Sequence, residues 1–194
     1  MKLAVLCLLA PALLPSSLRA QGPVFVINHE RSSVQFSVKA PVAIEGKFDK
    51  WDATLTFPSA DVTTGVLDIK IQAASVNTGS GMTDDKLRSK DFFNAKDDPY
   101  ITFHSTKLEQ TGPNTVAVDG DFTICGVTKQ ERLTLTVPRD GKGTGTIKGA
   151  MALDRKQFGM NSGIPFFKIA DRVEVTVDLT GKRISGPPVV LKYE

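Results

Sequence analysis

From residue 33 onward, apolar side chains recur at every second position. Val34, Phe36 and Val38 alternate with Ser33, Gln35, Ser37 and Lys39; Ala53, Leu55 and Phe57 with Asp52, Thr54 and Thr56; Leu67, Ile69 and Ile71 with Asp68, Lys70 and Gln72. Ile101, Phe103 and Ser105 stand against Thr102, His104 and Thr106. The same period returns in Phe122 with Ile124, in Leu133, Leu135 and Val137, in Ile147, Met151 and Leu153, and in Val173, Val175, Val177 and Leu179. A period of two marks strands with one buried and one wet face, so the chain predicts about eight strands. That two-faced pattern belongs to antiparallel meanders, since parallel strands are apolar on both sides. No long helix is available to cover the apolar face, so the sheet must pack on itself as a sandwich or a closed barrel. Closure also removes exposed strand edges. Turn chemistry separates the runs at Pro58-Ser59-Ala60-Asp61, Gln110-Thr111-Gly112-Pro113-Asn114 and Pro138-Arg139-Asp140-Gly141.

One stretch, residues 77–99, breaks the rhythm. It predicts one or two helical turns capped by Thr83 or Asp84, with Leu87, Phe92 and Phe93 as a compact apolar end. In a barrel this segment lies across one mouth, its rings either plugging the core or facing a ligand.

The first twenty residues follow another logic. Lys2, an apolar run over residues 3–14 broken only by Pro11, and Ala20 at a plausible cleavage point read as a secretory signal, too short to span a membrane. Residues 21–194 are then expected to form one domain. Cys7 leaves with the signal, so Cys125 has no internal disulfide partner and reads as an inert cysteine at a strand end. Charge changes the picture little: 24 Lys and Arg stand against 21 Asp and Glu, a net +3, and loss of Lys2 and Arg19 leaves +1. No basic face displaces counterions, which excludes a charge-driven nucleic-acid binder.

Enzyme chemistry finds no foothold in the spacing. His29 and His104 supply neither a triad nor a zinc site, so no catalytic residue, metal or cofactor is expected. Gly141-Lys142-Gly143-Thr144-Gly145 imitates a phosphate loop, but a strand pattern follows where a nucleotide fingerprint needs a helix.

Several ordered blocks match a known pattern. Ser75-Val76-Asn77-Thr78-Gly79, Leu87-Arg88-Ser89-Lys90-Asp91-Phe92-Phe93-Asn94-Ala95 and Pro99-Tyr100-Ile101-Thr102-Phe103-His104-Ser105 come first. Gly120-Asp121-Phe122-Thr123-Ile124-Cys125-Gly126-Val127-Thr128-Lys129 and Leu153-Asp154-Arg155-Lys156-Gln157-Phe158-Gly159-Met160 follow. Over residues 24–182 the chain resembles the bacterial YceI-like family of lipid and polyisoprenoid-binding proteins. Lys86, where a histidine is frequent, and Gln130, where proline is common, depart from the pattern. The resemblance implies an all-β fold: an eight-stranded antiparallel, lipocalin-like barrel with one short helical segment at its mouth. It also implies an elongated apolar channel for a long-chain amphiphile such as an isoprenoid, export to the periplasm, and in many members a homodimer.

A barrel of about eight strands is just wide enough to be filled by side chains or to hold one slender ligand. The candidate channel wall is Phe36, Val38, Phe57, Ile69, Ile71, Ile101, Phe103, Phe122, Ile124, Leu135, Met151, Val175 and Val177, with Leu87, Phe92, Phe93 and Phe158. Any one of these, taken singly, is more often ordinary core. Candidate head-group contacts are Lys86 and Arg88 beside the mouth helix and Asp154 and Arg155 after a strand, although adjacent opposite charges at a strand end more often hold a turn together. Arg172 reads as a solvated strand flank. The expected function is a periplasmic or secreted carrier of a polyisoprenoid or fatty-acid-like lipid. The alternatives are a structural or interaction domain with a filled barrel, or an enzyme acting on a bound lipid.

Overall fold

The structure, a computed structural model, describes residues 22–41, 43–138, 143–163 and 169–192. The expected signal segment, residues 1–20, lies outside the described residues, as do Arg139, Asp140, Gly141 and Lys142. The chain forms an antiparallel barrel of eight staves, three of them broken. β1 (Val24–Ile27) and β2 (Ser33–Val38) make the first stave, β3 (Ile44–Phe48) and β4 (Trp51–Thr56) the second, β5 (Val66–Gln72) and β6 (Val76–Asn77) the third. β7 (Tyr100–Gly112), β8 (Thr115–Ile124), β9 (Val127–Thr136), β10 (Thr144–Asp154) and β11 (Arg172–Ser185) complete the meander. The ring runs β1-β4-β5-β7-β8-β9-β10-β11 and closes where β11 pairs with β1. β2, β3 and β6 continue the sheet from the first half of β11.

Hydroxyl groups patch the breaks. Between β1 and β2 a 3-10 turn, His29–Arg31, is capped by the Asn28 side chain. There the Thr180 amide donates to Ser32 Oγ at 2.9 Å and the Thr180 hydroxyl donates to Arg31 O at 2.8 Å. The breaks in the second and third staves face each other. Ser75 Oγ accepts from the Lys50 amide at 3.0 Å and donates to Gln72 O at 2.7 Å, so the bend leaves these groups hydrogen-bonded.

The eight alternating runs of the sequence are all strands. The segments that the period did not announce are β1, β3 and β6. In β1 every position is apolar; in β3 the inward position opposite Phe36 is Gly46, which carries no side chain to signal it. Ser105 belongs to the inner face for a polar reason: β7 bulges there, and the buried Ser105 hydroxyl accepts from the Leu67 amide at 2.8 Å in place of a ladder bond.

Two inner phenylalanines lie on glycines. A Cβ on Gly46 would stand 2.5 Å from Phe36 Cζ; one on Gly120 would stand 2.7 Å from Phe103 Cζ and 2.5 Å from His104 O. The helical segment is α1 (Gly81–Arg88), and its cap is Ser80, not Thr83 or Asp84 as the sequence suggested. Asp84 faces back instead, accepting from the Thr78 amide at 2.8 Å and the Thr78 hydroxyl at 2.7 Å, which ties the helix to the strand before it. We call the end of the barrel under α1 the upper end.

Cys125 and Gly126 form the two-residue turn between β8 and β9, with φ of 53° and 69°, the geometry that hairpin twist demands. The Cys125 thiol donates to Phe92 O at 2.8 Å, binding the hairpin to the mouth loop, and burial pushes its pKa up to about 11.

Gly120→Ala is expected to cost about 1–3 kcal/mol in denaturant unfolding, because the backbone oxygen of His104 cannot move away from the new methyl. Gly112→Ala, whose Cβ meets nothing nearer than 3.5 Å, is the matched control. At pH 8 folded protein is expected to alkylate at Cys125 far more slowly than protein in urea, read by mass spectrometry.

Candidate functional site

The upper cavity lies beneath α1. Leu87, Phe92 and Phe93 reach into the barrel from the helix and the turn after it, where the Phe93 amide donates to Leu87 O at 2.9 Å. Phe36, Phe48 and Phe93 form an aromatic trio with ring centroids 5.6–6.1 Å apart, the range in which edge and tilted contacts are favourable. About 70 Å³ stays free for a water-sized sphere, and no polar surface faces it.

The lower cavity opens at the other end and is larger, at about 120 Å³. Its walls include Phe25, Ile27, Leu55, Phe57, Leu108, Val116, Leu135, Ile147 and Leu179. Val189 and Leu191 come from the C-terminal segment, which turns at Gly186 (φ 78°) and crosses the barrel end as a strap. Val190 donates to Ala60 O at 2.7 Å, the Lys192 amide donates to Gln110 Oε1 at 2.7 Å, and the Lys192 ammonium pairs with Asp61.

The two linings share no residue. Between them runs a belt of side chains bordering neither cavity: Ala53, Leu67, Ile69, Phe103, Val118, Leu133, Met151 and Val177, all buried. The resemblance implied one elongated channel; among the described residues the barrel interior holds two separate cavities, with the buried side chains of the belt between them. An apolar cavity of about 150 Å³ takes one benzene-sized group. As they stand, each of these suits a few carbons, and a long chain requires the belt to turn aside.

Of the expected wall residues, Phe36, Val38, Ile71, Leu87, Phe92, Phe93, Ile101, Phe122, Ile124 and Val175 line the upper cavity. Phe57 and Leu135 line the lower one. Ile69, Phe103, Met151 and Val177 sit in the belt, and Phe158 is wholly buried, edge-on to Phe122 at 5.6 Å. Among lining residues outside that set, Leu55, Leu153, Val173 and Leu179 already lay on the inner face of the alternating pattern. Phe25, Ile27, Val189 and Leu191 did not, since neither the unbroken apolar run nor the strap carries a strand period.

With this architecture in hand, the likeness to known proteins takes a definite form. The sequence matches the YceI-like domain family over residues 25–181. The chain belongs to the YceI-like family. A UPF0312 protein of Shewanella denitrificans is 32% identical over 122 residues, which span 62% of this chain and 64% of that protein, so the match covers just under two thirds of its length. A second UPF0312 protein, from Pseudomonas syringae, is 29% identical over 72% of this chain and 75% of its own length. The crystal structure of BcnA from Burkholderia cenocepacia superposes with a TM-score of 0.72 at 30% identity, covering 80% of this chain and 99% of that one. A polyisoprenoid binding domain from Saccharophagus degradans superposes with a TM-score of 0.60, covering 83% of this chain and 99% of that one. At 15% identity it shares the fold alone.

Within this YceI-like barrel the head-group candidates differ in what they have left to offer. Arg88 donates to Ala74 O at 2.8 Å, Val76 O at 2.9 Å and Asp85 at 3.0 Å, so it braces the loop before the helix. Lys86 pairs with Asp91, and its ammonium lies 5.8 Å from the Phe92 ring centre. Asp154 caps the turn that follows β10, accepting from the Lys156 amide at 2.9 Å. Arg155 borders the upper cavity but is buried, its guanidinium donating to the carbonyls of Met160, Ser162 and Ala170 and to Asp171. Arg172 is exposed beside Glu174. His104 stands on the wet face with Nδ1 2.5 Å from Asp68, whose carboxylate raises its pKa. Among the described residues no cluster of His, Cys, Asp and Glu is placed to hold a metal ion, and no helix is long and apolar enough to cross a membrane.

The strap is held by a charge whose loss is predictable. Hydrogen bonds from Lys192 and Thr63 lower the Asp61 carboxyl from 3.8 to about 2. A depressed carboxylate contributes stability above its unfolded value and loses it as pH falls through the folded one. The Val190 amide is therefore expected to keep its hydrogen-exchange protection down to about pH 4 and to lose a small part of it toward pH 2, since the backbone bonds of Val190 to Ala60 and Val62 remain. Asp61→Asn is expected to remove that pH dependence.

Proposed function

We propose that this protein is an exported binding protein, without enzymatic activity, that holds a long-chain amphiphile in the barrel interior for transport, storage or scavenging in the periplasm. The observation that carries this reading is the pair of almost wholly carbon-walled cavities, one at each end of a barrel closed by hydrogen bonds. Burying a chain is favourable by about 0.8 kcal/mol per CH2, so a polyisoprenoid or fatty-acid-like tail binds here with few polar contacts. An empty apolar cavity leaves its lining without contacts on one side, which favours an occupied barrel. The belt sets the condition: it contains unbranched Met151, the most adaptable of core side chains, beside Gly149, where Leu133 and Leu135 already fill the space a Cβ would take, so Met151 is the side chain that must turn aside. Membership of the YceI-like family supports the reading, as does the fold shared with a polyisoprenoid binding domain. The apolar segment over residues 3–14 supports export.

Native mass spectrometry of freshly purified protein is expected to show a copurified lipid of the host. Extracting it is expected to lower the melting temperature, and adding back a polyprenyl compound to restore it through the linkage of binding to folding. A lipid-free preparation whose melting point ignores every long-chain compound would instead establish the filled barrel.

A further inference from the structure

Each cavity is bordered by one charged side chain among the described residues, Arg155 above and Arg183 below. Their chemistry differs. Arg155 spends Nε, Nη1 and Nη2 on three carbonyls and the Asp171 carboxylate. Arg183 donates from Nη1 to Gly186 O, forms no ion pair with a described carboxylate, and keeps its Nε buried with no acceptor at all. Among the described residues this is the one buried side-chain nitrogen or oxygen left unpartnered. Its position is fixed by the backbone: the Arg183 amide donates to Gly143 O, and a Cβ on Gly143 would stand 3.1 Å from Nε, so the side chain lies flat on a glycine that also lines the cavity.

Nε is covered by Gly143, whereas Nη2 also has no acceptor among the described residues and is not closed off. An anionic oxygen entering the cavity therefore meets Nη2, and satisfies the desolvated Nε–H as the side chain lifts off the glycine. We propose that Arg183 is the head-group anchor of the lower cavity: the site takes an amphiphile with an anionic oxygen head, a carboxylate or a phosphate, beneath the strap, with the chain running toward the belt. The fork of a guanidinium suits both heads, since each offers paired oxygens. This places the polar end of the ligand opposite to α1, where Lys86 and Arg88 are already engaged. The proposal rests on the lipid-holding function and adds to it the end and the charge of the ligand.

The test measures binding of palmitate, geranylgeranyl phosphate and neutral hexadecanol to the delipidated full chain, by displacement of a fluorescent fatty acid. Wild-type protein is expected to prefer one of the two anions to hexadecanol by about tenfold or more, and the tighter of the two names the head. Arg183→Met, similar in shape and uncharged, is expected to lose that preference while binding hexadecanol as before. Arg183→Gln, which keeps a donor but no charge, serves as the second variant if Arg183→Met fails to fold, with the same expected loss. An anion preference unchanged in the folded variant overturns the anchor and leaves the lipid-holding function standing. If wild-type protein binds none of the three probes, that function falls and the anchor with it.

Discussion

Everything in this barrel depends on how β11 closes it. That single strand pairs with β10 along eleven successive positions on one edge. Its other edge is divided: residues 173–178 hold β2 and residues 181–185 hold β1. The first stave bends at its 3-10 turn, and Thr180, lying between the two paired stretches, exchanges hydrogen bonds with Asn28, Arg31 and Ser32 across the bend. A strand edge left open at this seam would be an adhesive surface. Closing it fixes the circumference, and the circumference fixes the interior.

An eight-stranded ring has little interior to spare. Here it is filled unevenly. At mid-height, Phe103 lies on Gly120 and, with Leu133, Met151 and Val177, belongs to the buried belt. Above and below this belt the inner side chains leave space, and two cavities result. An apolar mouth facing water needs a cover, and the protein uses different devices at the two ends. Above, α1 and the turn carrying Phe92 and Phe93 are bound into the sheet by Asp84, Arg88 and the thiol of Cys125. Below, a strap of extended chain is held by a few backbone bonds and the Asp61–Lys192 pair, an exposed contact of the kind that contributes little on its own. Of the two covers, the lower one is extended chain and the upper one a helix tied in by side chains.

The two cavity arginines show how position decides what a charged group does. Arg155 sits where the chain after β10 doubles back, among the carbonyls of Met160, Ser162 and Ala170, and it is consumed in holding that turn. Arg183 sits at the end of β11, where the strand runs out and Gly186 turns the chain into the strap, so carbonyls are scarce and donors are left over.

The alternation of apolar and polar residues was enough to place the eight staves, since which face a strand buries is a local property of its sequence. The ordered blocks running from Ser75 to Met160 were enough to expect the family, and Asp154, Arg155 and Arg172 behave as turn and flank residues that their neighbours already suggested. What could not be seen locally was where each inner side chain falls along the barrel axis. That depends on the stagger between strands, so Phe57, Phe103 and Phe36 read alike in sequence yet end in the lower cavity, the belt and the upper cavity. The strap was hidden because three consecutive apolar residues after Pro187 and Pro188, Val189, Val190 and Leu191, form no period, and Gly46 hid its strand by lacking a side chain. Arg183 lay past the alternating run, which ends at Leu179, and beside Lys182 it read like any solvated cation. Only closure of the ring, which sets Gly143 against its guanidinium and an apolar wall beside it, decided that this half-buried side chain would have its Nε covered and left without an acceptor.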